Sequence, residues 1–256
     1  MLERHTWIMG FSTHNNNPSS FTWMNTSWAC QDSNSACVLS IDMVGFTLLS
    51  IELGPSELVQ LMHSIWCIMD DVVQEDDESK SNSSSSCDGG SDVISHPIKM
   101  DTVGDAYIVV VTMKSQAHHL CVQAATSMLR IAANIAQGIY EYSRSGPHNL
   151  TPGKVKIRLG MCVDDVVAGV VGFSKPRYHV FGEAVNRAKE LESGSSAFHV
   201  LVGQEVLKTC SSVLNTQLVD LICKDHNPNF MYELDILNLR EGQQYFPRMA
   251  ASFPTT

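Results

Sequence analysis

The sequence is short of positive charge. Across 256 residues it has 17 Lys and Arg against 27 Asp and Glu, which gives a formal net charge of −10. Nucleic-acid binding and polybasic membrane-surface binding both need a cationic face, so this balance argues against both classes. An acidic chain can still bind a polyphosphate if metal ions supply the positive charge. Because positive charge is scarce, we expect an anionic partner to bind this chain only together with metal ions.

Paired cysteines and long apolar runs are also missing. The eight cysteines form no Cys-x-x-Cys pair, and several, such as Cys67 and Cys121, lie in apolar stretches typical of core residues in a reducing compartment. No window approaches 18 uninterrupted apolar residues, and the N-terminus lacks the apolar run of a signal peptide. We expect a cytoplasmic chain with no membrane span, or the cytosolic part of a larger membrane-associated protein.

Hydrophobic residues make up 44% of the chain, enough for a sizeable core. The predicted organisation is an irregular N-terminal segment at 1–35, one domain at 36–248 and a tail at 249–256. Residues 75–92 begin with four acidic residues, and positions 81–90 within them are almost all Ser, Asn and Gly. Such a stretch cannot bury apolar area, so it is predicted to be a solvated insertion within the domain.

Apolar periodicity predicts an α+β fold with a ferredoxin-like βαββαβ core, extended by an appended helix and strands. The turn-prone pair at 164–165 predicts a hairpin between the last two strands of this core. The predicted strands are Ala36–Ile41, Pro97–Thr102, Ala106–Thr112, Val155–Met161 and Val166–Val171, and the predicted helices are Pro55–Val73, Gln116–Tyr142 and Glu183–Ser193.

Two aspartates stand at strand ends that this fold brings together. Asp42 ends the first strand, and Asp105 lies at the tip of the following hairpin. In a split βαβ sheet the first strand lies beside that hairpin, so both carboxylates can meet at one edge. Paired carboxylates beside free backbone carbonyls suit Mg²⁺, which leaves room for phosphates. The other interpretation is that each Asp is an ordinary turn or cap residue.

Three sequence blocks resemble the class III adenylyl/guanylyl cyclase catalytic domain. They are Ile-Asp-Met-Val-Gly-Phe-Thr at 41–47, Asp-Thr-Val-Gly-Asp-Ala-Tyr at 101–107, and Gly-Val-Val-Gly at 169–172 followed by Arg-Tyr-His-Val-Phe-Gly at 177–182, with Val185 and Asn186 beyond. They occur in the order of the family, with fitting spacing once the Ser-rich insertion is allowed for. The match covers roughly 36–203.

The resemblance implies a phosphorus–oxygen lyase that converts a nucleoside triphosphate to a 3′,5′-cyclic monophosphate and pyrophosphate. It implies two Mg²⁺ (or Mn²⁺) ions per site and a homodimer or heterodimer with a second cyclase domain, in which one partner supplies the metals. Asp42 and Asp105 would be metal ligands, and Asn186 would orient the ribose. The backbone after Asp42 would help to hold metal and phosphates, through Met43, Gly45, Phe46 and Thr47.

Base choice rests on two positions of the resemblance. Asp101 stands where adenylyl cyclases carry Lys and guanylyl cyclases carry Glu. An acid there can accept hydrogen bonds from the N1–H and 2-amino groups of guanine, which favours GTP over ATP. The second position is His179, whose imidazole can donate or accept. His179 can equally be a packed histidine at a strand end.

The phosphate-handling cations of the family are missing here. Its transition-state Arg lies four residues after the ribose Asn, and that position is Glu190; Lys189 and Arg187 are neighbouring cations out of register. The late Lys-Gly-Lys-Gly loop is replaced by Leu-Asn-Leu-Arg at 237–240, and the usual His-Thr-Gly turn by Cys-Val-Asp-Asp at 162–165. Losing one such donor typically costs about a hundred- to a thousandfold in rate.

Three hypotheses remain open from the sequence. The chain is the metal-supplying subunit of an active cyclase whose partner carries the cations. It is a homodimeric, weak guanylyl cyclase in which Lys189 or Arg240 substitutes for the missing cation. Or it is a catalytically weak or inactive regulatory and dimerisation module that binds Mg–nucleotide without turnover.

Overall fold

The computed structural model describes residues 30–81, 94–100, 104–146, 150–171, 177–203, 206, 224–227 and 231–235. Long helices cover one face of a sheet in this part of the chain. The elements are β1 Cys30–Met43, α1 Phe46–Glu52, α2 Pro55–Ser81, β2 Ile98–Lys99, β3 Tyr107–Met113, α3 His118–Arg144, β4 Ile157–Val171, β5 Arg177–Phe181, α4 Glu183–Gly194, β6 His199–Gly203, β7 Lys224–Asn227 and β8 Met231–Asp235.

Among the described residues the sheet has eight strands, in the order β2-β3-β1-β4-β6-β8-β7, and β5 pairs separately with β4. β1 lies between β3 and β4 and is antiparallel to both. β4 and β6 are the parallel pair. The order of β1, the α1–α2 helices, β2, β3, α3 and β4 along the chain is the predicted βαββαβ core. The α+β fold class is therefore confirmed.

Side-chain alternation along the strands divides the core into two parts. Odd-numbered residues of β1 and β3, such as Ile41 and Tyr107, are buried in the larger cluster with α2 and α3. Even-numbered residues, such as Val38 and Ile108, face the smaller cluster beneath α4. Asp42 is even-numbered, so the strand directs its carboxylate to the α4 side.

The predicted hairpin across Asp164 and Asp165 is wrong. β4 runs without interruption through both residues, and the antiparallel partner of its C-terminal half is β5, with Gly169 opposite His179. β1 begins at Cys30, before the strand predicted from Ala36, and pairs with β4 along its length, with one register shift between Gln31 and Asn34. The Asp165 carboxylate accepts hydrogen bonds from the Ser35 hydroxyl at 2.8 Å and the Gln116 amide at 3.1 Å, which hold it in the strand.

The stretch at 75–92 is only partly described. α2 continues past the predicted end at Val73 as far as Ser81, so its last turns enter the acidic part of the stretch. The remainder of that stretch, residues 82–92, lies outside the described residues. The assigned domain boundaries, including the irregular segment 1–35 and the tail 249–256, stay predictions.

Candidate active site

The fold brings Asp42 and Asp105 together, as the sequence predicts. Asp42 is the penultimate residue of β1, and Asp105 lies in the turn that leads into β3, its neighbour in the sheet. The two carboxyl groups are within hydrogen-bonding reach of each other. Both side chains are half-buried. The carboxylate pair therefore lies at one end of the neighbouring interior strands β1 and β3, on the side covered by α4.

The pKa of Asp105 is raised above its ordinary value. Burial is the largest cause, and the negative charge of Asp42 and a hydrogen bond with its carboxyl group add to it. The backbone N–H groups of Asp105 and Met43 act in the opposite direction by donating to the carboxylate. Two close carboxylates repel each other when both are ionised, and a bound cation removes that repulsion. The pair thus has the electrostatics of a cation site.

The donor set fits a hard divalent metal. It consists of carboxylate oxygens, with the backbone of Met43 directly beside them, and such oxygens are the ligands that Mg²⁺ and Mn²⁺ take. Within the described residues no cluster of three or more His, Cys, Asp and Glu side chains could hold a metal by itself. A two-carboxylate site leaves coordination positions for the oxygens of a phosphate substrate.

The chain turns sharply just after the carboxylate of Asp42. Gly45 has a φ of 72°, in the left-handed region that favours glycine, and its carbonyl accepts from the N–H groups of Leu48 and Leu49 to begin α1. Gly45 and Thr47 are exposed and Phe46 is half-buried. These three residues therefore lie in the first turn beyond the carboxylate pair, where the resemblance places the phosphate contacts.

An arginine and a buried glutamate extend this site. Arg158 lies opposite Asp42 in the β1–β4 ladder, and its Nη2 donates to Asp42 Oδ2 at 2.9 Å. Its Nε donates to Glu192 Oε1 at 2.5 Å, and the Glu192 side chain is 10% exposed. Partial burial opposes the charged form of Arg158, but the two carboxylates outweigh it, so its pKa is raised. Burial and the charge of Asp42 raise the pKa of Glu192, against the effect of Arg158.

A glycine allows α4 to reach this network. A Cβ on Gly160 would lie 2.1 Å from the Glu192 nitrogen and 2.2 Å from the Ala188 carbonyl oxygen, so only glycine lets the helix approach β4 this closely. Gly160 is two residues from Arg158 on the same face of the strand. The close approach therefore sets the distance between Glu192 and Arg158.

A pocket of about 310 Å³ lies beside the N-terminal half of α4. Two of the expected nucleoside-binding residues, His179 and Asn186, line it, and so does Met100, the residue before Asp101. Asp101 itself lies outside the described residues. The His179 ring stacks on the Phe181 ring with centroids 5.7 Å apart. The lining is Met100, Ile108, His179, Val180, Phe181, Gly182, Val185, Asn186 and Lys189.

The three faces of α4 have different surroundings. One face carries the buried residues Ala184, Ala188, Leu191 and Glu192. A second carries Val185, Asn186 and Lys189, which line the pocket together with Gly182, the residue before the helix. The third carries Glu183, Arg187 and Glu190, which are exposed. Lys189 is therefore the cation that α4 presents to the pocket, whereas Glu190 lies on the solvent face.

A second polar cluster supports β2, the strand that leads to residue 101. Asp70 of α2 accepts from Lys99 Nζ at 2.7 Å and from the Tyr107 hydroxyl at 2.6 Å. Lys99 Nζ also lies 4.8 Å from the centre of the Tyr107 ring. Burial and Asp70 raise the pKa of Tyr107. This cluster fixes β2 to the helix layer and so positions the chain that enters the pocket.

The sequence patterns did not point to Arg158 or Glu192. In the predicted strand Val155–Met161 the apolar residues alternate with Lys156 and Arg158, a pattern typical of a half-buried strand, but the face that carries Arg158 is covered by α4. A usable signal was present in α4 itself, where Glu192 continues the apolar spacing of Ala184, Ala188 and Leu191. A carboxylate in an apolar stripe indicates a buried ionic partner.

The fold and the site together define a nucleotidyl cyclase catalytic domain. The family model described as the adenylate and guanylate cyclase catalytic domain matches residues 29–228, and the chain belongs to this family. The resemblance inferred from the three sequence blocks is confirmed. So is the enzyme class, guanylate or adenylate cyclase, at the level of the family.

Receptor guanylate cyclases are among the similar curated proteins. Receptor-type guanylate cyclase gcy-23 of Caenorhabditis elegans is 31% identical over 180 residues, which cover 68% of this chain and 14% of the relative. Atrial natriuretic peptide receptor 2 of Homo sapiens is 29% identical over 173 residues, which cover 66% of this chain and 14% of the relative. The chain thus spans about a seventh of the length of these relatives.

Solved cyclase domains share the fold at low sequence identity. The guanylate cyclase domain of RhGC from Catenaria anguillulae, in complex with GTP, has a TM-score of 0.56 at 19% identity and covers 79% of this chain and 96% of that chain. The adenylyl cyclase CyaB from P. aeruginosa has a TM-score of 0.58 at 20% identity, over 80% of this chain and 95% of that chain. In the part of our chain that the structure describes, no helix has the length and apolar character needed to cross a bilayer.

Proposed function

We propose that this domain converts a nucleoside triphosphate, with GTP favoured over ATP, to a 3′,5′-cyclic monophosphate and pyrophosphate. The observation that carries the proposal is the Asp42–Asp105 carboxylate pair, placed by β1 and the turn before β3. In the reaction the ribose 3′-oxygen bonds to the α-phosphorus. The bond from that phosphorus to the bridging oxygen breaks, pyrophosphate leaves, and the hydroxyl proton passes to solvent.

The carboxylate pair would hold the metals. Asp42 and Asp105, with the backbone of Met43, would bind two Mg²⁺ or Mn²⁺ ions per site, which when bound make the 3′-hydroxyl more acidic and neutralise triphosphate charge. The first turn of α1, formed by Gly45, Phe46 and Thr47, would lie against the phosphates. The Met43 N–H and the Arg158 guanidinium stabilise the negative charge of the pair.

The nucleoside would occupy the pocket beside α4. The Asn186 side chain would hydrogen-bond the ribose and so fix the direction of the 3′-hydroxyl. His179, stacked on Phe181, would contact the base edge together with Asp101. An acidic side chain accepts from the N1–H and 2-amino groups of guanine, whereas adenine offers no such pair of donors, and this supports GTP as the preferred substrate.

We further propose that the active site forms between two chains. The pocket lining includes neither Asp42 nor Asp105, although both belong to the described residues. A nucleotide in the pocket of one chain would therefore place its triphosphate on the carboxylates of a partner. The paired strands β4 and β5 carry three exposed apolar residues next to the pocket, Val167, Val171 and Phe181. These residues would be covered in such a dimer.

The favoured arrangement pairs this chain with a partner that supplies phosphate-binding cations. Glu190 is exposed at the position where the family carries its transition-state Arg, and its charge opposes a phosphate. In the site shared with such a partner, this chain would contribute the metal half, and the partner would contribute the nucleoside pocket and the cations. In a pair of identical chains, the pocket beside α4 would instead bind the nucleoside. The same observation favours a second candidate, a regulatory and dimerisation module that binds Mg–nucleotide with little or no turnover.

The test is an assay of the purified chain with Mn²⁺ or Mg²⁺ and either GTP or ATP, alone and mixed with a complementary cyclase domain. We expect cyclic product in the mixture, with GTP preferred, and its loss in Asp42→Asn and Asp105→Asn. Asp71→Asn, which removes an exposed acid from α2, is the matched control and should leave the rate unchanged. Nucleotide binding without product in every mixture would establish the regulatory module instead.

A further inference from the structure

We propose that Glu192 is a positioning residue of the metal site, acting on Asp42 through the Arg158 guanidinium. This inference rests on the proposed function, since it concerns the carboxylates that would bind the metal. It goes beyond that function because Glu192 lies behind Arg158 and touches neither the nucleoside pocket nor, directly, the carboxylate pair.

The geometry assigns separate nitrogens of one guanidinium to the two acids. Arg158 Nε is bound by Glu192 Oε1 at 2.5 Å, and Nη2 is bound by Asp42 Oδ2 at 2.9 Å. A planar guanidinium held at Nε can present its other nitrogens in only a narrow range of directions. Fixing the first contact therefore fixes where the second one meets the Asp42 carboxylate.

Burial makes this contact costly to lose. The Glu192 side chain is 10% exposed, and the Arg158 and Asp42 side chains are 31% and 19% exposed. Without the Glu192 acceptor, Asp42 would be the carboxylate partner of Arg158 that remains in this network, and the guanidinium would be free to bind it in a bidentate geometry. That geometry occupies both oxygens of the carboxylate and competes with a metal for them.

The backbone supports the same conclusion. Gly160 brings α4 so close to β4 that a Cβ there would overlap the Glu192 nitrogen and the Ala188 carbonyl oxygen. Glu192 is thus held where helix and strand backbones touch, one turn from Lys189 on the pocket face of the same helix. Outer-shell partners of this kind typically change metal affinity about 10- to 100-fold when they are removed.

Two nearly isosteric variants separate position from charge. Glu192→Gln loses the charge but keeps an oxygen that can accept from Arg158 Nε, and Glu192→Met loses both. Affinity for Mn²⁺ alone is measured from the electron paramagnetic resonance signal of the free ion. We expect Glu192→Met to weaken Mn²⁺ binding about tenfold. Glu192→Gln should retain most of the wild-type affinity. Glu183→Gln removes an exposed acid from the first turn of the same helix and should bind as the wild type does.

The remaining outcomes are equally decisive. An equal loss of Mn²⁺ affinity in Glu192→Gln and Glu192→Met would show that only the charge of Glu192 matters. Unchanged affinity in both variants would show a purely structural role. Either result overturns the inference and leaves the proposed function intact. If the wild-type chain shows no Mn²⁺ binding that Asp42→Asn abolishes, the proposed metal site itself fails. In a mixture active with a complementary domain, Glu192→Met should raise the KM for metal and leave kcat at saturating metal near the wild-type value.

Discussion

Gly160 of β4 lies directly beneath the backbone of Glu192 in α4, with 2.1 Å between the Glu192 nitrogen and the place where a Cβ on Gly160 would be. The absence of that single carbon determines how closely the helix packs on the sheet. It also determines what the helix can do. The pocket face of α4 carries Asn186 and Lys189, and its buried face carries the partner of Arg158. The nucleoside pocket and the Asp42–Asp105 carboxylate pair are therefore connected through one helix, α4.

Gly160→Ala should destabilise the domain by about 3 kcal/mol, since the added methyl would overlap backbone atoms that cannot move without displacing α4. The free energy of unfolding is measured by urea denaturation. Gly203→Ala is the matched control, because Gly203 is also a strand glycine and nothing lies within 4 Å of the place that its Cβ would take. Equal stability of the two variants would contradict the packing described for α4.

Much of the fold follows from the periodicity of apolar residues in the sequence. α2 and α3 are long segments with an apolar stripe, and their type is predictable because burial of one face dominates their stability. β3 is a short apolar run that is buried on both faces, a pattern typical of an interior strand. The hairpin predicted at Asp164 and Asp165 failed for a different reason. The turn preference of two aspartates is local, whereas the Ser35 and Gln116 hydrogen bonds that keep Asp165 in the strand come from residues 130 and 49 positions away.

The site likewise contains residues that local sequence identifies and residues that only long-range contacts bring together. Asp42 and Asp105 could be found because each belongs to a short contiguous block of sequence. Arg158 and Glu192 could not, because the partners of Arg158 lie 116 and 34 positions away and meet only through the β1–β4 register and the α4 approach. The role assigned to Asp101 stays a prediction, since that residue lies outside the described part of the chain.

Asp105 should titrate at a higher pH than an ordinary aspartate in the metal-free protein. Burial and the neighbouring Asp42 charge favour its neutral form, so it stays protonated until the pH exceeds its raised pKa. Metal affinity should accordingly decline as the pH falls through that value. The carboxyl ¹³C shift of Asp105 reports the titration directly. In Asp42→Asn the midpoint should move down, because the charge is removed while the burial remains; an unmoved midpoint would mean that the two carboxyls do not interact.

Lys189→Gln should weaken binding of a nucleoside triphosphate about 10- to 100-fold, since one charge-assisted contact to phosphate contributes roughly 1.5–3 kcal/mol when it is made. Affinity for the unphosphorylated nucleoside should change little. Both are measured by calorimetry with Mn²⁺ present. The control is Arg187→Gln, which removes the same charge from the exposed face of the same helix. If the two variants weaken triphosphate binding equally, the effect comes from net charge and Lys189 has no special place in the pocket.

Glu190→Arg should turn the chain into a more active enzyme by itself. The proposal that this chain needs a cationic partner depends on the acid at this position, because a carboxylate repels the developing charge on the phosphate and an arginine would stabilise it. Supplying one such donor should raise the homodimer rate with Mn²⁺ and GTP about a hundredfold. Glu183→Arg makes the same charge reversal on the same exposed face and should not raise it. The gain should disappear when Asp42→Asn is added, because the arginine can act only on a nucleotide that the carboxylate pair has already positioned. A folded Glu190→Arg chain that binds GTP and shows no gain would mean that α4 does not present this position to the phosphates, and the cation deficit would then have to be explained by the missing Lys-Gly-Lys-Gly loop alone.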